Sequence, residues 1–112
     1  MYEYNCKITS IYDGDTATGD IDLGFYTHIH DQKFRLFGIN TPEIRNKDAE
    51  DKKKAYEAKA ELERLILNKT VRIRSHGKEK YGRWLVEIFI DDMSISVNQY
   101  LINEGFAKEY IL

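Results

Sequence analysis

The chain has 112 residues, 42% of them apolar and 32% charged, the balance of one globular domain and not of a disordered segment. Its 17 Lys and Arg face 19 Asp and Glu, for a formal net charge of -2, so bulk positive charge does not hold it to a polyanion. Any grip on phosphate needs a local arrangement of Arg and Lys, or a bound cation. No apolar run approaches the roughly 20 residues that cross a bilayer, and the single cysteine, Cys6, excludes an internal disulfide and a cysteine-cluster metal site. Met1-Tyr2-Glu3-Tyr4-Asn5 lacks the basic-then-apolar pattern of a signal peptide. That is compatible with an intracellular enzyme, although a secreted one needs no disulfide either.

Tyr4 to Ile11 alternates loosely through Ile8, Thr9 and Ile11 and predicts a strand. Asp13-Gly14-Asp15 is a tight turn, Asp-Gly being a strong hairpin signal. A second strand is expected over Thr16 to Asp22, and Leu23-Gly24-Phe25 turns the chain into a third, Thr27 to Phe37. Asn40 to Lys54 is polar, holds the one proline, Pro42, and predicts a loop. From Asp51 to Leu67, Ala55, Ala58, Leu62, Leu65 and Ile66 recur at helical spacing, with Lys and Glu on the other face. Val71-Arg72-Ile73-Arg74 is a fourth strand and Trp84 to Ile90 a fifth. Ser96 is placed to cap a short helix over Val97 to Glu104, stopped by Gly105. Three strands, a helix, two strands and a helix fit an α+β fold, a small five-stranded OB-type barrel with two helices.

Four stretches carry the chemistry: Asp13-Gly14-Asp15-Thr16, the run from Phe34 to Glu43, Lys80-Tyr81-Gly82-Arg83, and Asn98 to Ala107 with Leu101 and Gly105. In this order and at these separations they resemble the staphylococcal-nuclease-like (thermonuclease) family, over about Lys7 to Tyr110. The resemblance implies an OB-fold barrel and calcium-dependent hydrolysis of phosphodiester bonds in DNA and RNA. It implies little sequence preference and products that keep phosphate on the 3′ side of the cut. The third, C-terminal helix of the secreted bacterial members is expected to be absent.

The residue types suit that chemistry. A phosphodiester is anionic and repels hydroxide, so hydrolysis needs positive charge on its oxygens and a base for the water. Arg35 and Arg83 match the family's two phosphate-binding arginines, and guanidinium donors meet phosphate bidentately. Glu43, presented from a loop after Pro42, is by resemblance the general base. Asp15 matches the metal-binding aspartate, and the Thr41 carbonyl is a further implied ligand. The second family carboxylate falls at position 40, where this chain has Asn40. An amide oxygen still ligates calcium, but the site loses one negative charge, so a weaker site or a shifted metal preference follows. Asp13 either adds charge behind the metal or bonds its own backbone as a turn aspartate. Lys80 and Tyr81 match residues that hold a neighbouring phosphate. Leu36 and Leu85 fall where the family lines its base pocket, and Tyr110 near a base-contacting tyrosine, with an ordinary barrel-rim tyrosine the equal alternative.

Other features carry less. His28 and His30 share a strand face without a third metal ligand at a suitable spacing, so a solvated face is expected. Lys52-Lys53-Lys54 and Lys59 lie among acidic residues and read as the outer face of the helix. Cys6 and Trp84 are expected to pack. The sequence therefore predicts a monomeric nuclease acting on DNA or RNA with one divalent cation. It predicts no membrane role and no obligate protein partner. A catalytically silent nuclease-like module, binding nucleic acid or a protein, is the alternative that Asn40 keeps open.

Overall fold

The computed structural model describes residues 2–110. β1 (Glu3–Asp13), β2 (Thr16–Gly24) and β3 (Thr27–Leu36) form an antiparallel meander. They are followed by β4 (Ile39–Asn40), α1 (Ala49–Ile66), β5 (Thr70–Lys78), β6 (Trp84–Phe89), α2 (Val97–Asn103) and β7 (Lys108–Glu109). The barrel closes in the order β1-β2-β3-β6-β5, and its closing pair, β3 with β6, is parallel. This is the expected α+β architecture, a closed five-stranded barrel with two helices.

Strand alternation sorts the side chains. Phe34 and Leu36 of β3 and Val86 and Ile88 of β6 point inward and are buried, joined by Ile8, Ile73 and Cys6. α1 adds Ala55, Ala58, Leu62, Leu65 and Ile66 from its apolar stripe. That helix starts earlier than the sequence suggests. Asp48 caps it, accepting from the N–H groups of Glu50 (2.9 Å) and Asp51 (3.1 Å), so the polar stretch after Asn40 is a loop only as far as Asp48. β5 likewise runs on past Arg74 to Lys78, because Ser75 still pairs with Val86 and Lys78 with Trp84 across a bulge. Ser75-His76-Gly77 shows no apolar alternation, so this extension is silent in sequence.

Two small features position the site. A Cβ on Gly14 would lie 2.7 Å from Ala58 Cβ and 3.1 Å from Thr41 Cγ2, so the β1–β2 turn can settle onto α1 only as glycine. Gly38 turns the chain at φ 80° out of β3, after which β4 pairs with β7 in a separate two-stranded sheet. Strands of two residues leave no sequence period, and that sheet was not expected.

Candidate active site

Where the β1–β2 turn meets the end of β3, a cleft of about 310 Å³ opens on the outer face of the barrel. Arg35 lies at its centre, opposite Thr16 on β2 and Leu85 on β6. Its Nη1 donates to Asp15 Oδ2 (2.9 Å), and its Nη2 to the Ile39 carbonyl (3.1 Å) and Asn40 Oδ1 (3.4 Å). Asp15 is buried. It also accepts from the Thr41 N–H at Oδ2 (3.2 Å) and from Thr16 Oγ1 at Oδ1 (3.0 Å). A guanidinium tied at three points has little rotamer freedom left to lose on binding. The Tyr110 ring packs against it, 5.5 Å from centroid to Cζ.

Arg83 comes from the loop between β5 and β6. That loop is closed by backbone bonds from Glu79 N–H to the Arg83 carbonyl (2.9 Å) and from Gly82 N–H to the Glu79 carbonyl (3.0 Å). Glu79 also receives Arg83 Nε at 2.5 Å and Nη2 at 3.0 Å, a bidentate pair that holds the Glu79 carboxyl below its usual range. Glu43 sits at the rim, 68% exposed, with Arg45 at 3.7 Å. Burial raises the Asp13 carboxyl above its ordinary value, and the charges of Asp15 and Glu43 push the same way against a hydrogen bond from the Ile44 N–H.

Of the residues singled out in the sequence, Asp15, Arg35, Asn40, Glu43, Tyr81, Arg83, Leu85 and Tyr110 all line this one cleft. Three do not. Leu36 is 1% exposed and points into the core: on a strand it must face away from Arg35, so its placement beside the base is corrected. Thr41 is buried beside the cleft and reaches it through its N–H bond to Asp15. Lys80 is outside the lining, with its Nζ over the Tyr81 ring, 5.1 Å from the centroid. Thr16, the last residue of the Asp13–Thr16 motif, and Glu79 also line the cleft; Glu79 lies outside every motif, and its (i, i+4) spacing to Arg83 is the signal that could have found it.

The cleft is lined by four carboxylates, Asp13, Asp15, Glu43 and Glu79, against two guanidinium groups, Arg35 and Arg83. An anionic substrate therefore meets an excess of two negative charges, which is the charge of one divalent cation. Beside Asp15 the cleft also offers the Asn40 amide and the Thr16 hydroxyl, oxygen donors that fit a hard cation and not zinc. Among the described residues no three His, Cys, Asp or Glu converge tightly enough to cage a metal by themselves. Neutral oxygens, water and substrate must then complete the shell. On β3, His28 and His30 each meet an aspartate of β2, Asp22 at 3.9 Å and Asp20 at 3.4 Å, on the solvated face expected for them.

Residues 33–112 match the family model described as staphylococcal nuclease homologue. The chain belongs to that family. Relatives of this nuclease-family chain include an uncharacterized protein of Methanocaldococcus jannaschii, 33% identical over 96% of this chain and 60% of its own length. An uncharacterized endonuclease of Haemophilus influenzae is 28% identical over 94% of this chain and 52% of its own length. The chain thus spans little more than half the length of these relatives. Among the described residues, no helix is long and apolar enough to cross a membrane.

Proposed function

We propose that this staphylococcal nuclease homologue hydrolyses phosphodiester bonds of DNA or RNA with little sequence preference. It would use a divalent cation, with calcium first, and leave 3′-phosphate ends. The observation that carries the reading is the gathering of Asp15, Arg35, Asn40, Glu43 and Arg83 around one cleft. Arg35 and Arg83 are donors of fixed direction for the non-bridging oxygens of a phosphate seated between them. Glu43, at the exposed rim, takes a proton from water; the hydroxide forms the new bond to phosphorus, the bond to the 5′ oxygen breaks, and that oxygen takes a proton from solvent. A bound cation would neutralise the excess carboxylate charge and the charge that builds on the phosphate, held by Asp15, Asn40 Oδ1 and the Thr41 carbonyl. Tyr81 and Lys80 would position a neighbouring phosphate, and Leu85 and Tyr110 offer faces to a base. Every residue lining the cleft comes from one copy, which supports a monomer as the acting unit.

The test is a digest of plasmid and of labelled oligonucleotides in calcium, magnesium, manganese and chelator, with end-group analysis of the products. Cleavage in calcium that stops in chelator and leaves 3′-phosphates is expected; cleavage in chelator would remove the metal from the mechanism. One observation favours the silent-module alternative: both arginines are already clamped, to Asp15 and to Glu79. Binding of the oligonucleotide without cleavage under all four conditions would establish that alternative instead.

A further inference from the structure

The β2–β3 hairpin runs away from the cleft. From Thr16 to Gly24 it covers about 26 Å at ~3.3 Å per residue. At its tip Gly24 pairs with Thr27, leaving Phe25 and Tyr26 as a two-residue loop with φ of 52° and 59°. This is the pattern of a type I′ turn, which favours Asn-Gly and which bulky L-residues avoid. Both rings are fully exposed, at 101% and 102%. Two aromatic residues thus occupy a strained turn without touching the core, and the fold does not account for them.

Beside the tip of the same hairpin the barrel interior opens in an apolar pocket of about 350 Å³, whose lining includes Tyr2, Tyr4, Leu23, Ile29, Phe34 and Trp84. Its lip at Leu23 and Ile29 lies toward the tip, away from Thr16 and Arg35, while Phe34, Trp84 and Val86 line it from inside the barrel, on the face opposite the cleft. The tip does not fill its own mouth, since both rings are free. We propose that these two features meet between copies: Phe25 and Tyr26 of each chain seat in the barrel mouth of the other, in a two-fold symmetric dimer.

Charge selects the occupant. The outer half of the hairpin, residues 20–31, carries Asp20, Asp22 and Asp31 and no Lys or Arg, with His28 and His30 beside two of these carboxylates, which disfavours a nucleic acid or an anionic membrane at the tip. Beside the mouth stands Lys78, whose Nζ lies 4.7 Å from the ring centroid of the lining residue Trp84 and forms no ion pair among the described residues, a match for an acidic hairpin tip. Area sets the strength. Phe25, Tyr26 and Tyr2 (78% exposed) offer roughly 150–200 Å² each. With Leu23 and Ile29 the apolar contribution is about 600 Å² per copy, below the ~800 Å² of a standard partner surface. The dimer is therefore weak, with a dissociation constant in the micromolar range or above.

The proposal is independent of the nuclease reading. Sedimentation velocity over low-micromolar to near-millimolar protein should show wild type passing from monomer to dimer. Phe25→Asn/Tyr26→Gly installs the turn sequence the backbone prefers, so it should keep or raise the melting temperature while remaining monomeric throughout. Ile29→Asp, at the lip of the mouth, should also remain monomeric. Neither change should alter oligonucleotide cleavage by more than about twofold, because the cleft is at the other end of β2 and β3. A wild type that stays monomeric, or a tip variant that still dimerises, overturns the proposal. A lip variant that dimerises while the tip variant does not overturns the tip-in-mouth geometry. Loss of binding to oligonucleotide or to anionic vesicles in the tip variant alone, without a change in self-association, would give the tip to a polyanion and overturn the proposal as well.

Discussion

Asn98 is the buried residue on which the cleft's framework most depends. It is the second residue of α2, and its amide closes three hydrogen bonds: Oδ1 accepts from Ile88 N–H (3.1 Å), and Nδ2 donates to the carbonyls of Phe37 (2.8 Å) and Val86 (3.0 Å). Those bonds tie α2 to β6 and to the chain leaving β3, two residues after Arg35. Asn98→Ala orphans the Ile88 N–H and the Phe37 carbonyl, whereas the Val86 carbonyl keeps the Phe37 N–H (2.8 Å). At about 1–3 kcal/mol for each unsatisfied buried group, the loss is about 4 kcal/mol. An unfolding entropy of ~2.1 cal/mol/K per residue, over a domain of this length, turns that into a fall of about 17 °C in melting temperature. Urea unfolding followed by circular dichroism and by the fluorescence of Trp84, the one tryptophan, measures it directly. Asn98→Asp is the control. It keeps the acceptor but points a second oxygen at two carbonyls, so at neutral pH it should be no better than alanine. A loss below about 1 kcal/mol in Asn98→Ala would refute the reasoning, because water or a backbone shift would then be satisfying those groups.

Glu43→Ala, Arg83→Ala and Arg35→Ala should each lower turnover per folded molecule by at least about a hundredfold, or ~3 kcal/mol. Glu43→Ala should leave the melting curve unmoved, since its side chain is exposed, whereas Arg35→Ala strands the buried Asp15 carboxylate and destabilises the fold as well. Near-full activity in any of the three would remove that residue from the mechanism. Asn40→Asp should tighten calcium binding by about tenfold or more, and Asp15→Ala should nearly abolish it, by titration calorimetry with and without a nucleotide bisphosphate; a wild type that binds as tightly as Asn40→Asp would end the charge-count argument. Between the helices, Glu61 accepts from Arg64 (2.6 and 3.0 Å) and Tyr100 Oη (2.6 Å), first Arg64 and then Tyr100 holding its carboxyl below the usual range. A lowered folded-state value means that this stabilisation is present above the unfolded value of about 4.3 and is lost as pH falls through the folded one. Tyr100→Phe should therefore melt lower than wild type at pH 7, with the gap closing toward about pH 3; a gap independent of pH would mean that only packing is lost.

The cleft was legible because its residues come from short, dense segments whose types announce their chemistry: an acidic glycine turn, an arginine inside an apolar strand, and a glutamate after a proline. What the sequence hid follows from geometry that a linear reading does not weigh. Leu36 looks like a neighbour of Arg35, but strand alternation puts consecutive residues on opposite faces. Glu79 looks like one more solvated charge until the β5–β6 loop closes and brings it onto Arg83. The hairpin tip lies one residue beyond Leu23-Gly24-Phe25, since Gly24 takes a positive φ as expected but still pairs with Thr27, and Phe25 and Tyr26, also at positive φ, form the loop. The helix was secure from its period, yet its start depended on one cap at Asp48, a local hydrogen-bond pattern that polar composition alone reads as loop.

The closing pair of the barrel does more than seal it. Because β3 and β6 run parallel with Arg35 opposite Leu85, the outward residues of both strands share one face, and Arg83, two before Leu85, joins that face at the strand's edge. The Leu36 N–H donates to the Asp15 carbonyl (2.9 Å), so the β1–β2 turn hangs from Phe34 to Leu36, the stretch of β3 that pairs with β6. Gly14 against Ala58 then fixes the height of that turn over α1. A closed barrel has no free edge along which one strand can slip, and a slip of one residue would send Arg35 and Leu85 into the core. Arg35, one of the two charges proposed to meet the phosphate, is therefore held by the most constrained part of the fold, and Arg83 stands at its edge, tied to Glu79. Glu43 and Tyr81, which would meet the water and the passing strand, stand on exposed loops. The fixed half suits an identical phosphate at every step, and the exposed half suits a substrate whose bases differ.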